Sequence, residues 1–333
     1  MTKKAHPKSL QEAEILAEDM RRVAYLLQTP MKRLDADETN MLALQLEQMR
    51  SRVYEEAYPA IKARAFLPVS FEVDPGAENF SFERTDYVGS AERITNFADD
   101  LRTVETSGQK EVYSLNSYGN AYNYSIHDLQ RAAFTGRPLS ARKALAARRI
   151  WERKLDDVAA LGDAPGNIAT GMINDANVSI EGLANAGTWA TKIGAGNVDH
   201  LLADANALVR AVVVDSKELY AANRILMPLD QYMLFSQTRL ADTGETVLEA
   251  FLRANPMIER VDSWNKLSGA GAGATDRMVA YEYNPEVAEL VIAQDFTVLP
   301  PQVKNLAFQV LAHGRTGGCT VMRPLGMKYM DGI

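Results

Sequence analysis

The chain has 333 residues, of which 47% are hydrophobic and 24% charged, and its 36 Lys and Arg against 43 Asp and Glu give a formal net charge of −7. These values exclude general disorder, and the acidic balance argues against a dedicated nucleic-acid-binding protein, which normally carries a basic excess. The single cysteine, Cys319, excludes an internal disulfide framework and a cysteine-rich zinc site, so the cytoplasm is the expected place of synthesis.

The first 65 residues predict a helical arm. Ser9 and Glu12 form a capping box for a helix over 9–28, and a second helix is predicted from Asp37 to Ala57. Charged side chains cover much of both helices, which favours a solvated N-terminal arm over 1–65 rather than a part of the core. Residues 1–20 contain no apolar segment typical of a signal peptide, and no run approaches the roughly 18 apolar residues that a membrane span requires.

Residues 66–124 have the pattern of strands and turns with little apolar content. Phe71 to Val73 and Phe80 to Glu83 alternate with period two on either side of the turn Asp74-Pro75-Gly76. A long extended section of this kind cannot bury much surface alone, so it needs a neighbour, either elsewhere in the chain or in another subunit. We expect the part from Asp74 to Tyr124 to lie across a neighbouring subunit.

Residues 125–162 centre on one long helix, predicted from Leu139 to Leu161 between Pro138 and Gly162. At 100° per residue, its apolar side is formed by Ala144, Ala147, Trp151, Leu155 and Val158. We expect Trp151 and Leu155 of this stripe to pack in the core.

The opposite side of this helix carries the arginines Arg142, Arg149 and Arg153. For strong DNA binding the better interpretation is a solvated face, on which Glu152, Asp156 and Asp157 balance the arginines within about one turn. Weak, non-specific contact of the three arginines with phosphate backbones stays open.

The remaining chain predicts an α/β block followed by returning strands. Residues 163–295 alternate helices and strands, among them a helix around Leu201 to Val212 and strands from Arg224 to Pro228 and from Arg277 to Tyr283. Residues 296–333 are strand-like again.

The sequence contains no recognisable constellation of catalytic residues. The four histidines stand at no metal-ligand spacing, and neither a G-x-S-x-G elbow nor a Walker sequence is present. Cys319 with His313 as its base is an enzyme interpretation that the sequence allows, but a small buried strand residue is the far better interpretation of Cys319. We therefore predict that the protein is not an enzyme and has no catalytic residues, no metal site and no cofactor.

The order of elements and several local segments resemble one family. The segments are Ile94-Thr95-Asn96-Phe97-Ala98-Asp99-Asp100, then Ala141 to Arg148 with Gly162 after it, and finally Leu299 to Val303, Arg315 to Gly318 and Asp331 to Ile333. Together with the order of arm, extended section, long helix, α/β block and returning strands, they resemble the major capsid proteins of tailed bacteriophages, which have the Hong Kong 97-like fold. The resemblance covers the chain from about Tyr54 onward.

The resemblance implies an α+β fold in five parts. These are an N-terminal helical arm over 1–65, an extended loop with peripheral-domain strands over 66–124, the spine helix of the peripheral domain over 125–162, an axial α/β domain over 163–295, and peripheral return strands over 296–333. It also implies that charges of the extended loop lie between subunits, namely Arg84, Asp86, Arg93, Asp99, Asp100 and Arg102. Because Lys110 is the single lysine from Asp74 to Tyr124, covalent cross-linking between subunits is not implied.

The function that the resemblance implies is that of a major capsid protein, which assembles as pentamers and hexamers into the icosahedral head around phage double-stranded DNA. Its implied partners are further copies of the chain, portal, scaffold or decoration proteins of the phage, and packaged DNA through weak contact, with no membrane. The protein would be made in the cytoplasm of the bacterial host and reside in the virion. The alternative is an encapsulin-like nanocompartment, which shares the fold but encloses protein cargo.

Overall fold

The computed structural model describes residues 60–91, 93, 103–127, 130, 134, 139–240, 244–305 and 307–333. The helices predicted over 9–28 and from Asp37 to Ala57 lie outside these residues, and so does the segment from Ile94 to Asp100. Among the predicted inter-subunit charges, Asp99, Asp100 and Arg102 also lie outside them.

Helices and strands are mixed along the described chain. The helices are α1 Ala63–Phe66, α2 Leu139–Leu161, α3 Trp189–Gly194, α4 Asp199–Asp215, α5 Leu229–Gln237 and α6 Val247–Ala254. The strands are β1 Val69–Ser70, β2 Asn79–Val88, β3 Glu105–Ser114, β4 Asn116–Ser125, β5 Ile180–Glu181, β6 Arg224–Met227, β7 Arg260–Ser263, β8 Arg277–Tyr281, β9 Ala288–Val298, β10 Gln302–Lys304, β11 Ala307–Val321 and β12 Met327–Asp331. The α+β class predicted from the sequence is therefore confirmed.

The first sheet is built around the long strand β11. It pairs antiparallel with β4 along Ala307–Thr316 and with β9 along Ala312–Val321, and β1 and β10 complete the five strands. The expectation that the whole section from Asp74 to Tyr124 crosses a neighbouring subunit is therefore wrong for β4. Ten consecutive residue pairs join β4 to β11, so this strand belongs to the sheet of its own chain.

One strand prediction is also wrong. Phe71 to Val73 form no strand, and the strand nearest to them is β1, whose two residues pair with β9. Period-two alternation over three residues is too short to specify a partner strand.

Helix α2 packs against β11 and β4, and it begins and ends at the predicted residues. It ends because Gly162 adopts a left-handed conformation with φ of 80° and donates its N–H to the carbonyl oxygen of Val158 at 2.8 Å. A Cβ atom at position 162 would lie 2.6 Å from the carbonyl oxygen of Ile168, so the close approach of the following loop also requires glycine.

The second sheet has the strand order β5-β12-β8-β6-β7 and mixes parallel with antiparallel pairs. Helix α4 packs against β8 and β12 of this sheet, and all residues of β8 are buried. Between α3 and α4, the side chains of Lys192 and Asp204 form a buried ion pair at 2.5 Å. The indole of Trp189 donates to the same carboxylate oxygen at 3.0 Å, and the backbone N–H of Asn185 donates to the other at 3.3 Å, so the buried charge of Asp204 has three partners.

A continuous apolar core connects the two sheets. It includes Trp151 and Leu155 of α2, Cys319 of the first sheet, and Tyr281 and Tyr329 of the second. Helix α2 and both sheets therefore pack around one shared hydrophobic core.

Candidate assembly surfaces

Strands β2 and β3 form a two-stranded antiparallel hairpin that is separate from both sheets. The register runs from Asn79 opposite Ser114 to Val88 opposite Glu105. At about 3.4 Å per residue, the paired strands extend for roughly 30 Å. An isolated two-stranded ribbon of this kind is marginally stable in water, so its parts need other contacts.

The base of the hairpin is anchored on the first sheet of its own chain. Phe80 stacks on Tyr113 with 5.5 Å between ring centroids and packs with Leu115 and Val291. A Cβ atom at position 317 would lie 2.7 Å from the ring of Phe80, so Gly317 makes room for that ring on β11.

Arg84 fastens the hairpin further along its length. Its Nη2 atom donates to the carbonyl oxygen of Met322 at 2.7 Å and lies 3.1 Å from a carboxylate oxygen of Glu111. Arg84 was predicted to lie between subunits, and in the structure it bonds within its own chain. In the turn that precedes β2, the carbonyl oxygen of Pro75 accepts a hydrogen bond from Arg315 of β11.

The distal part of the hairpin is exposed on all sides in the described chain. Tyr87 is 75% exposed, and Val88 and Val104 are exposed apolar residues beside it. Asp86 lies on this distal part and Arg93 in the connection between β2 and β3, and both are exposed. The hairpin thus has an anchored base and an overhanging end whose apolar residues lack a partner in the described chain.

The packed side of α2 is defined by Trp151, which is 3% exposed. Its ring lies 6.0 Å from that of Phe296 on β9 and 5.6 Å from the guanidinium carbon of Arg64. A Cβ atom at position 314 would lie 2.6 Å from the indole, so Gly314 of β11 provides the space for it. Leu155, one turn further along the same side, is also buried.

The outward side of α2 is basic and partly apolar. Arg142, Arg149 and Arg153 are all exposed, as the periodicity predicts. Leu145 and Ile150, which flank the arginines on the helix surface, are 65% and 60% exposed. We call these five residues the outward helix face.

The acidic residues that were expected to balance these arginines also bind other elements of the chain, and the solvated face stays a prediction. Glu152 pairs with Arg64 at 3.0 Å, and Asp157 pairs with Lys266. The buried carboxylate of Asp156 accepts the backbone N–H groups of Lys62 and Ala63 at 3.1 and 2.9 Å. All three carboxylates therefore attach other elements to α2.

The one thiol lies in the interior. Cys319 is buried on β11, and burial raises the pKa of its thiol well above the ordinary range. His313 lies six residues away on the same strand, which places the two residues roughly 20 Å apart. The alternative interpretation of Cys319 as a nucleophile with His313 as its base is therefore wrong.

Within the described residues, no three or more His, Cys, Asp or Glu side chains are grouped so that they could hold a metal ion. No helix in the same part of the chain has both the length and the apolar character needed to cross a bilayer.

Residues 89–333 match the family model described as Major capsid protein. The chain belongs to the major capsid protein family. The match begins directly after β2 and runs through β3, α2 and all later strands and helices, so it covers the described elements apart from α1, β1 and β2 and not only a local motif.

Solved capsids share the fold of this capsid protein over nearly its full length. The capsid of Myoviridae phage XM1 is 18% identical with a TM-score of 0.75, covering 91% of this chain and 100% of that chain. The capsid of an empty GTA particle is 16% identical with a TM-score of 0.60, covering 90% and 99%, and Mycobacterium phage Ogopogo is 10% identical with a TM-score of 0.56, covering 87% and 98%. The predicted Hong Kong 97-like capsid fold is thereby confirmed. No curated protein sequence matches the chain significantly.

Sequence reasoning missed the residues that anchor the capsid protein's hairpin and helix. Gly314 and Gly317 were available as signals, since a glycine inside a strand often marks the close approach of another group. What the sequence did not show is that these groups are the rings of Trp151 and Phe80.

Proposed function

We propose that this major capsid protein assembles as hexamers and pentamers into the icosahedral head that encloses phage double-stranded DNA. The family match supports the capsid role and favours a phage head over an encapsulin-like compartment. The hairpin supports assembly, because its overhanging end exposes apolar surface that a neighbouring subunit would cover.

We also propose which parts of the chain serve as the domains of the shell subunit. The hairpin corresponds to the extended loop within 66–124, and α2 to the spine helix within 125–162. Strands β5 to β8 with helices α3 to α6 form the axial domain within 163–295, and β10 and β11 of the first sheet lie in the return region 296–333. Strand β12 also lies in 296–333, but it belongs to the second sheet and so joins the axial domain. The predicted arm over 1–65 completes the assignment.

The remaining partners belong to the same proposal. The subunit would be made in the cytoplasm of the bacterial host and would meet portal, scaffold or decoration proteins while the head forms. A shell with a net charge of −7 per subunit can enclose DNA with few strong phosphate contacts. Weak contact of Arg142, Arg149 and Arg153 with packaged DNA stays a prediction.

Electron microscopy and light scattering of the purified full chain test this proposal. We expect pentamers, hexamers or closed shells, because the hairpin end needs a neighbour. A monodisperse monomer over a range of salt and protein concentration, with no shells in the micrographs, would contradict it. Shells from native host cells that contain a protein cargo instead of DNA would assign the compartment function.

A further inference from the structure

We propose that Ser70, Glu72, Glu289 and Thr320 bind a calcium ion where the strands β1, β9 and β11 meet in the first sheet. We call these four residues the strand-junction site. The sequence predicts no metal site, and the proposed capsid role does not require one, so this inference goes beyond both. The four side chains offer two carboxylates and two hydroxyls, which are the oxygen donors that Ca²⁺ prefers.

The strand register places these side chains on one side of the sheet. Glu289 of β9 is directly opposite Thr320 of β11, and such antiparallel neighbours share a face with their Cβ atoms about 4.5–5.5 Å apart. Ser70 of β1 is paired with Val291, which stands two residues after Glu289 and therefore on the same face. Glu72 follows Ser70 by two residues, and its carboxylate acts on that of Glu289.

The hydroxyl of Thr320 lacks a hydrogen-bond partner among the described residues. The side chain is fully buried, and its Oγ1 atom is without a donor or acceptor there. A buried polar atom that bonds nothing costs free energy, so in a folded protein it indicates a bound water molecule or ion. Because the residue directly opposite is Glu289, whatever this hydroxyl binds lies beside a carboxylate.

The charges at the junction favour a cation over a water molecule. Burial raises the pKa of Glu289 and the carboxylate of Glu72 raises it further, whereas the hydroxyl of Ser70 lowers it. Among the described residues, no cationic side chain is one of the groups that act on Glu289. A water molecule would satisfy the hydroxyl of Thr320 but leave the two carboxylates repelling each other. A divalent cation satisfies both.

The nearest cation of the hairpin is bound to other groups. The guanidinium of Arg84 reaches the first sheet at the carbonyl oxygen of Met322, two residues after Thr320, and it also pairs with Glu111. It therefore serves as the hairpin anchor, and the carboxylates of the strand-junction site need another counter-charge. An ion at this site would tie the two-residue strand β1 to the central strands β9 and β11 beside that anchor.

The donor set and its exposure fit Ca²⁺ better than Mg²⁺ or Zn²⁺. Glu289 is half-buried and Glu72 is exposed, so water can complete the six to eight oxygen ligands that Ca²⁺ takes in flexible geometry. Mg²⁺ demands a near-ideal octahedron, and Zn²⁺ is bound mainly by nitrogen and sulfur. With only two carboxylates the affinity should be modest, with a Kd of about 0.1–1 mM.

Thermal unfolding of the full chain as unassembled subunits, with and without about 10 mM CaCl₂, tests the inference. For the expected Kd, Ca²⁺ should raise the melting temperature by about 2–4 °C. NaCl of equal ionic strength should not reproduce this increase, because screening of exposed charges is not binding at a site. Isothermal titration calorimetry with CaCl₂ measures the Kd directly.

Three variants remove one donor each. Glu289→Gln should abolish the response to Ca²⁺ and also raise the melting temperature in Ca²⁺-free buffer, because the repulsion from Glu72 is then gone. Glu72→Gln changes an exposed side chain, so it should fold normally and weaken Ca²⁺ binding by about tenfold. Thr320→Val keeps the shape of the side chain without its hydroxyl and should weaken binding about threefold or more.

Glu78→Gln is the matched control, because Glu78 is an exposed glutamate of the same connection between β1 and β2 but lies outside the site. It should keep the full response to Ca²⁺, and circular dichroism checks that every variant is folded. The inference is overturned if Ca²⁺ does not stabilise the wild-type chain, if NaCl has the same effect, or if Glu289→Gln and Glu72→Gln respond like wild type. Unchanged affinity in Thr320→Val, or a lost response in Glu78→Gln, would also overturn the site as drawn. None of these results bears on the proposed function, which the assembly experiment tests separately.

Discussion

The packing of α2 on the first sheet gives the sharpest stability prediction. In Trp151→Ala, the indole is removed from a site that is 3% exposed, between the backbone at Gly314, the ring of Phe296 and the guanidinium of Arg64. Truncation of a buried aromatic side chain to alanine costs about 3–5 kcal/mol, because transfer free energy is lost and a cavity remains. Since the backbone of β11 at Gly314 and the ring of Phe296 pack against the indole, the site cannot collapse easily, and we expect a cost in this range.

The assay is thermal and urea unfolding of the unassembled subunit, monitored by far-ultraviolet circular dichroism. For a chain of this size the expected cost corresponds to a decrease of roughly 4–7 °C in the melting temperature. Ile150→Ala is the matched control, because Ile150 is the preceding residue of the same helix and is 60% exposed. It should change the free energy of unfolding by less than about 1 kcal/mol. If the two variants unfold within 1 kcal/mol of each other, the assignment of the packed side of α2 is refuted.

Three other predictions concern the hairpin and the interior. Deletion of Ser90 to Gly108 should leave a subunit whose α-helical circular dichroism is unchanged but which no longer closes shells, because both sheets are formed by other segments of the chain. Unfolding of this variant, or the formation of normal shells, would contradict the role of the hairpin. Cys319 should stay unreactive toward a thiol reagent in the folded protein at pH 8 and react fully in denaturant, because burial raises its pKa and blocks access; fast labelling of the folded chain would show an exposed thiolate. Lys192→Met should destabilise the subunit by about 3–5 kcal/mol in urea unfolding, because it leaves the buried carboxylate of Asp204 without its cation. The double variant Lys192→Met with Asp204→Leu should cost less, since it removes both charges. Equal costs for the two variants would show that the unpaired carboxylate is not the cause of the destabilisation.

Local signals in the sequence were sufficient for elements whose ends and periodicity are set by neighbouring residues. Helix α2 was predicted with its observed bounds because Pro138 and Gly162 limit it and the apolar stripe through Trp151 repeats over several turns. The prediction of a strand from Phe71 to Val73 was wrong, because three alternating residues do not specify a partner strand. For β4 the strand character was visible, but its partner β11 lies almost two hundred residues away, and period-two alternation does not identify a partner at that separation.

The candidate surfaces were harder to predict for the same reason. Charge and periodicity placed Arg142, Arg149 and Arg153 on the exposed side of α2, but the partners of Glu152, Asp156 and Asp157 depend on segments around Arg64 and Lys266 that are distant in sequence. The sequence does not distinguish the roles of Arg84 and Asp86, because both are charged residues of the same polar strand. The structure separates them, since one donates to Met322 of its own chain and the other lies beyond that anchor.

The position of Arg84 would also explain how, in the proposed assembly, one hairpin serves both the subunit and the shell. Its bond to the carbonyl oxygen of Met322 ties the middle of β2 to the residue that follows β11, and its ion pair with Glu111 joins β2 to β3, so the distal half leaves the subunit in a defined direction. A fixed direction lowers the conformational entropy that is lost when the overhanging end docks on a second copy. In the proposed assembly, the anchored residues would contribute without touching the neighbour, whereas the exposed residues beyond them would decide which surface of the neighbour is bound. Substitutions in the two groups should accordingly differ in kind: those at the base loosen the hairpin on its own subunit, and those at the end change the recognition between subunits.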